Sequence, residues 1–216
     1  MGFLDKLFGH KNFNNAFLIT GILLQTLLCL LLQDSLLSYT CAVSGIICVI
    51  LCAQKKILQF LFSFIQLVIY GWLSYKAKLY GEVAMQGFYL VTMAWGIILW
   101  KRQSHAGKIT ASKLPLAYNM CIWVLSGIAC IVLYKILVMS DDPEPLADSI
   151  TTITAVAAQC LMMLCYRENW IFWFVLNITS VIMWGMLGNW ILAAQFIFWS
   201  FNAVYGYWSW NPKNNQ

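Results

Sequence analysis

Long apolar segments separated by short polar gaps occupy most of the chain. About 20 consecutive apolar residues cross the hydrocarbon core of a membrane as a helix. The pattern predicts eight such spans, at about 16–33, 35–53, 57–75, 79–100, 116–139, 147–166, 170–187 and 188–210. Strand-like alternation of apolar and polar residues over about ten positions, the signature of a membrane barrel, does not occur. We therefore expect an all-α membrane bundle.

The composition agrees with this fold class. Of the 216 residues, 62% are hydrophobic and 10% are charged, whereas a soluble domain carries about 25% charged residues. The mean hydropathy is +0.74. The eight Cys residues lie inside apolar segments without a CxxC or Cys/His cluster. Neither a metal site, a cofactor nor a disulfide framework is indicated.

Basic residues predict the orientation of the bundle. Most of the 13 Lys and Arg residues fall in alternate connections, and basic loops remain in the cytoplasm. Both termini are therefore expected to be cytoplasmic, and the net charge of +5 reflects topology, not a nucleic-acid partner. Lys101–Pro115 is expected to be a mobile cytoplasmic loop. Ser140–Pro145 is expected to form an acidic outward loop. Asp148 is expected either to start the next helix or to act at the outer mouth of the pathway.

Two parts of the chain resemble each other. Thr40–Lys56 and Ile153–Asn169 share Ala-Val and Leu-Cys pairs at an offset of 113 residues, and Gln86-x9-Gly96-x3-Trp100 resembles Gln195-x10-Gly206-x3-Trp210. One helix between two three-helix repeats makes the repeats parallel, as in SWEET-type transporters. We predict an N-terminal segment with an extra helix (1–34), a first repeat (35–100), a linker helix with its loops (101–146), a second repeat (147–210) and a cytoplasmic tail (211–216).

Polar residues recur on one face of the third span of each repeat. Glu82, Gln86 and Tyr89 are spaced i, i+4 and i+7, and Gln195 and Asn202 follow the same spacing with Trp199 between them. Such positions share a helix face. Polar side chains are costly in hydrocarbon, so both faces should point into the bundle or a water-filled cavity. We interpret them as parts of one binding site supplied by both repeats.

A third face interleaves aromatic rings with hydrogen-bonding groups. Trp173, Asn177, Ser180 and Trp184 are spaced i, i+4, i+7 and i+11. Indoles can stack on a flat ligand while an amide reads its polar edge. The alternative is ordinary helix–helix contact through Asn, Ser and core Trp residues.

Further candidates for ligand binding are less clearly placed. They are Gln66, Gln159 and Thr151. Glu82 either pairs with Lys78 at the outer rim or faces the ligand. The Trp residues at span ends are predicted to form an interfacial belt: Trp100, Trp170, Trp190, Trp208 and Trp210. The candidate close-packing or hinge positions are Gly71, Gly96, Gly185 and Gly206.

An enzyme is not indicated. His10 and His105 lie in terminal and loop segments, and no nucleophile–base pair or glycine-rich phosphate loop occurs. Two rival classes remain open, a membrane enzyme acting on a lipid and a structural scaffold. The enzyme would depend on Glu82 or Asp148, and the scaffold would tolerate alanine at Gln86 and Asn177.

Several motifs resemble the PnuC family of bacterial nicotinamide riboside transporters. They are Gln66-x3-Tyr70, LYGE at 79–82 with Gln86 and Tyr89, DSITT at 148–152, Gln159, and Glu168-Asn169-Trp170 followed by Trp173-x3-Asn177. The resemblance covers about 35–210. It implies uptake of nicotinamide riboside, a vitamin B3 precursor, across the inner membrane by facilitated diffusion, trapping by a cytosolic riboside kinase, and a homotrimer. Relatives on the same scaffold take thiamine, riboflavin or nucleosides, so the ligand stays open at this point.

Overall fold

The computed structural model describes residue 8 and residues 13–32, 35–76, 80–105, 108–139, 144–186, 188 and 190–212, without the side chains of 80–82, 105, 108 and 191–192. Within these ranges the chain forms eight helices and one short ribbon. The helices are α1 (Phe13–Leu32), α2 (Leu36–Ala53), α3 (Gln59–Lys76), α4 (Tyr80–Arg102), α5 (Leu116–Met139), α6 (Pro145–Met163), α7 (Asn169–Met186) and α8 (Trp190–Ser209). The ribbon pairs β1 (Ser104–His105) with β2 (Lys108–Ile109).

Six of the helices, judged on the described residues, are long and apolar enough to cross a membrane. They are α1, α2, α4, α5, α6 and α7. The predicted all-α membrane fold is thereby confirmed. The parallel arrangement of two three-helix repeats around one linker helix stays a prediction.

The chain divides into two compact units, Met1–Thr110 and Ala111–Gln216. In the first unit, α2 packs against α1 and α3, and α3 packs against α4. Helix α2 begins after Ser35, whose Oγ accepts a hydrogen bond from the Ser38 amide at 3.1 Å. This cap satisfies one of the free amides at the start of the helix.

In the second unit, α6 packs against α5 and α7, and α7 packs against α8. A core forms around Leu114, Ala158, Leu161 and Phe172. The opposite face of α7 carries exposed apolar side chains at every fourth position, namely Phe174, Ile178 and Ile182. Asn177 and Ser180 on the polar face are buried, so it is this side of α7 that packs within the unit.

A tight turn of the same form follows α2 and α6. Lys55 and Cys165 adopt φ angles of 62° and 61°, the left-handed conformation that non-glycine residues rarely take. The Lys55 carbonyl accepts a hydrogen bond from Ile109, and the Cys165 carbonyl accepts one from Ser112. Each turn therefore ends one helix and accepts a hydrogen bond from the segment between α4 and α5, from Ile109 in the first unit and from Ser112 in the second.

These turns correct the predicted repeat register. The helices end at Ala53 and Met163, and the left-handed residues are Lys55 and Cys165, so the two turns are offset by 110 residues and not by 113. The predicted span 147–166 was three residues too long at its C-terminus because the left-handed Cys165 stops the helix. The offset of 110 also relates Gly96 to Gly206 and Trp100 to Trp210.

The expected helix start at Asp148 was wrong, and the mobility expected of segment 101–115 stays a prediction. The segment 101–115 is folded in its described part, since Thr110 donates to the Gln103 carbonyl at 3.1 Å and β1 pairs with β2. Helix α6 begins at Pro145, three residues before Asp148. Proline suits the first helical turn, where no amide partner is needed, and Asp148 lies within that turn.

Candidate functional site

The α7 face described from the sequence is buried in its polar part. Asn177 and Ser180 are 5% and 3% exposed, while Trp173 and Trp184 are half-buried. Trp173 packs against the core around Phe172, and the Trp123 ring stacks on Phe172 with centroids 4.1 Å apart. The Trp173 side chain therefore has one side against this core, and the buried Asn177 amide lies one helical turn away.

The other second-unit candidates lie on α6 and α8. Gln159 and Asn202 are buried, and Gln195 is half-buried. The Thr151 hydroxyl donates to the Ala147 carbonyl at 3.0 Å, which leaves its oxygen lone pairs as the group it can offer a ligand. The Trp199 Nε1 is buried and has no hydrogen-bond acceptor in the described part of the chain.

In the first unit, two glutamines lie against glycines of neighbouring helices. A Cβ on Gly45 of α2 would come within 2.8 Å of Nε2 of Gln66, and a Cβ on Gly71 of α3 would lie 3.7 Å from Cγ of Gln86. Gly45 therefore leaves the space that the Gln66 amide occupies.

The remaining third-span residues of the first unit are only partly placed. Tyr89 is half-buried, with its ring centroid 5.7 Å from that of Phe88. Thr92, one turn further, donates to the Phe88 carbonyl. The side chain of Glu82 lies outside the described residues, and so does Lys78, so the alternatives for Glu82 stay open.

The interfacial belt was wrong for three of its five Trp residues. Trp100 and Trp210 are fully buried, and Trp170 is 4% exposed. The Trp100 ring meets Phe60 edge-to-face at 5.0 Å, and the Trp210 ring meets Trp170 in the same way at 5.8 Å. These rings form the packed end of each unit. Trp190, at 72% exposure, fits a belt position.

The corrected register also changes the relation between Gln86 and Gln195. At an offset of 110 residues, Gln86 is equivalent to Phe196, and Gln195 to Met85. One position on a helix corresponds to about 100° around its axis. Gln86 and Gln195 are therefore one position apart between the repeats, and both remain predicted site residues on their own helices.

Sequence reasoning missed a pair of buried amides at the starts of α3 and α7. Gln59 and Asn169 are 1% and 0% exposed and are equivalent at the offset of 110. Gln59 Oε1 accepts from the Ser63 hydroxyl, and Asn169 Nδ2 donates to the Tyr166 carbonyl. The signal was an amide four residues after each left-handed turn residue.

The candidate side chains that the structure describes are all uncharged. Indole faces, amides and a hydroxyl suit a flat ligand that carries polar groups and at most one delocalised positive charge. The nearby turn offers no nucleophile, because burial raises the pKa of the Cys165 thiol to about 12 and keeps it protonated at neutral pH.

Comparison with known proteins agrees with these features. The family described as "Nicotinamide mononucleotide transporter" matches residues 35–212. The chain belongs to this transporter family. It is 28% identical to the nicotinamide riboside transporter PnuC of Neisseria mucosa, over 94% of this chain and 82% of that one. It is 30% identical to PnuC of Haemophilus influenzae, over 94% and 91% of the two chains.

A solved structure supports the same membership. The crystal structure of the vitamin B3 transporter PnuC superposes with a TM-score of 0.78 at 26% identity, covering 96% of this chain and 94% of that one. This PnuC-family chain is therefore a multi-pass membrane transporter and not an enzyme. The resemblance drawn from the sequence motifs is confirmed.

Proposed function

We propose that this PnuC-family chain imports nicotinamide riboside across the bacterial inner membrane by facilitated diffusion. The observation that carries the substrate assignment is the α7 face, where the half-buried Trp173 indole lies one turn from the buried Asn177 amide. The nicotinamide ring of the riboside is flat, cationic and bears a carboxamide. An indole face attracts such a ring by about 0.5–2 kcal/mol, and an amide can both donate to and accept from a carboxamide.

The ribose hydroxyls need further polar partners. We assign this role to Tyr89, Thr151, Gln159 and Asn202, while Gln86 and Gln195 are candidates for the carboxamide and Gln66 and Trp184 remain further candidates. Each hydroxyl can donate and accept, so amides and hydroxyls match it without a formal charge. Glu82 stays a candidate either for the outer rim, paired with Lys78, or for contact with the ligand.

The family description names the mononucleotide, which makes nicotinamide mononucleotide the second candidate substrate. Its phosphate would call for Lys or Arg side chains, since these pair with phosphate oxygens. The candidate residues include none, so the uncharged ribose of the riboside fits them better.

We infer a passive transport cycle, a cytosolic trapping step, the orientation of the chain and its assembly. The substrate equilibrates by rocking of the two three-helix repeats, with alternate access from either side. A cytosolic riboside kinase traps the product, because a phosphate ester does not fit a neutral site. The termini face the cytoplasm, as the basic loops indicate, and the chain assembles as a homotrimer surrounded by membrane lipids.

Equilibrium binding to the purified transporter tests the site. Trp173→Ala and Asn177→Ala should each weaken nicotinamide riboside binding at least about tenfold, which corresponds to 1.4 kcal/mol. Trp173→Phe should retain part of the affinity, because a ring still stacks. Trp190→Ala, which removes an exposed indole, is the matched control and should bind as the wild type does. Wild-type affinity in both α7 variants would remove this face from the site.

A further inference from the structure

A buried carboxylate without a cationic partner borders an open cleft in the second unit. Glu168, at 3% exposure, lies just before α7. Its Oε2 accepts a hydrogen bond from the Leu114 amide at 2.9 Å. Within the described part of the chain no Lys, Arg or His side chain forms an ion pair with it. A buried charge is costly unless a counter-charge compensates it, so the site favours a cationic ligand group.

The cleft beside Glu168 has a volume of about 500 Å³. It lies at one end of the unit, where α5 and α7 begin and α8 ends. Its walls include the cation Lys113, the carboxylate Glu168, the amide Asn119 and apolar side chains such as Leu116 and Ile171. The Tyr207 ring also lines it and is occupied by the Arg167 guanidinium, 3.9 Å from the ring centroid. A ligand with an ammonium group, an anionic group and a hydrocarbon part would match this set.

Asn119 provides a second acceptor for an ammonium group. Its Oδ1 is shielded from water and accepts no hydrogen bond in the described part of the chain. The terminal torsion of an asparagine side chain is broad and roughly two-fold. A donor inside the cleft can therefore turn the amide and engage this oxygen together with the Glu168 carboxylate.

The position of the cleft indicates a lipid as its ligand. Helix α5 is apolar and membrane-spanning in length, and none of its residues is buried. Leu116, the first residue of α5, lines the cleft and is 73% exposed. The cleft thus opens beside a lipid-facing helix at the level where that helix enters the membrane, which is where lipid headgroups lie.

We propose that this cleft binds the headgroup of a phospholipid with a primary ammonium, phosphatidylethanolamine. The ammonium donates to Glu168 and to Asn119, the phosphate pairs with the exposed Lys113, and the acyl chains follow Leu116 and Ile171 outward. A primary ammonium carries three N–H donors, whereas the choline headgroup carries none. The site is distinct from the α7 face proposed for the substrate.

Native mass spectrometry of the delipidated, purified transporter tests this site. Phosphatidylethanolamine, phosphatidylcholine and phosphatidylglycerol with identical acyl chains are added in turn, and the fraction of protein carrying one lipid is measured. The wild type should retain phosphatidylethanolamine about tenfold more strongly than the other two, as expected for charge-assisted hydrogen bonds. Equal retention of the ethanolamine and choline lipids, or preference for phosphatidylglycerol, would overturn the proposal.

Two variants separate the contributions of the carboxylate and the lysine. Glu168→Gln keeps an acceptor for the Leu114 amide but removes the charge, and should abolish the preference for phosphatidylethanolamine. Lys113→Met should lower retention of all three lipids several-fold and leave their order unchanged. Glu144→Gln, just before α6, and Lys135→Met, near the end of α5, lie at the far ends of these helices from the cleft and are the matched controls. If Glu168→Gln fails to fold, the wild-type lipid order and Lys113→Met still decide, since an unchanged Lys113→Met would contradict the phosphate assignment.

Discussion

At the scale of single residues, Gly45 leaves the space in which the Gln66 amide, a candidate for substrate binding, lies. A methyl group there would come within 2.8 Å of Nε2 of Gln66 and 3.0 Å of its Cδ. The atoms in the way belong to the flexible end of a side chain, so the helices can stay in place while the amide moves. The steric clash between an added Cβ on Gly45 and the Gln66 amide is therefore expected to alter substrate binding more than folding.

Gly45→Ala should weaken nicotinamide riboside transport while leaving the protein folded. We expect the KM for uptake to rise about fivefold, since a displaced hydrogen bond costs on the order of 1 kcal/mol. Gly71→Ala is the matched control, because its added Cβ would lie at an ordinary 3.7 Å from Gln86. Equal KM values for the two variants would show that Gln66 does not contact the substrate.

Gly206 differs from Gly45, because a Cβ added at Gly206 would meet a rigid aromatic ring and not the flexible end of a side chain. A Cβ on Gly206 would overlap the indole of Trp170, which is buried against Trp210. Gly206→Ala should lower the free energy of unfolding by about 1–3 kcal/mol, as overpacking does, measured as a fall in melting temperature in detergent. Gly127→Ala, whose Cβ would meet nothing within 4 Å, should melt at or above the wild-type temperature. A stable Gly206→Ala would contradict this packing.

At the scale of secondary-structure elements, the left-handed turns after α2 and α6 determine how neighbouring helices connect. Each allows two apolar helices to reverse within five residues, Gln54–Leu58 and Leu164–Glu168. Each also accepts, through its left-handed carbonyl, a hydrogen bond from the segment between α4 and α5. The apolar pattern predicted the helices on both sides. It did not predict the turn conformation, since Lys55 and Cys165 are residue types with no preference for a positive φ. For the same reason the sequence pattern did not predict the offset of 110 residues between the repeats.

Substitution of Lys55 tests whether the turn conformation limits stability. Asparagine tolerates the left-handed region, whereas a β-branched residue is strained there. Lys55→Val should therefore melt at a clearly lower temperature than Lys55→Asn, by a difference of about 1–2 kcal/mol in unfolding free energy. Both variants lose the lysine side chain equally, so each controls for the other. Equal melting temperatures would mean that residue 55 does not keep this conformation.

The sequence predicted the candidate site less completely than the fold. The i, i+4 spacing of Trp173 and Asn177 predicted a shared helix face, because helix periodicity alone decides which residues share a face. The polar residue of this face, Asn177, is buried. Burial of Trp100, Trp170 and Trp210 was not predictable in this way. A Trp at the end of a span serves an interface or a core equally well, and only its partners, such as Phe60 and Gly206, decide between them.

At the scale of the whole molecule, the chain combines membership of a transporter family with a proposed binding face whose uncharged residues suit a cationic ring. The match over residues 35–212 establishes a transporter, and the chemistry of the α7 face favours the riboside over its phosphate ester. Passive transport is the central claim that this combination makes. The candidate residues hold no acid pair of the kind that ion-coupled carriers use, so the substrate gradient alone is expected to drive uptake.

Uptake of labelled nicotinamide riboside into proteoliposomes, with and without an enclosed riboside kinase and ATP, tests this claim most directly. We predict saturable uptake that stops when internal and external concentrations are equal, continued accumulation when the kinase is present, and no effect of collapsing proton or sodium gradients. Asn177→Ala should slow both phases. Accumulation above the external concentration without the kinase would contradict passive transport, and uptake of the mononucleotide in preference to the riboside would contradict the substrate.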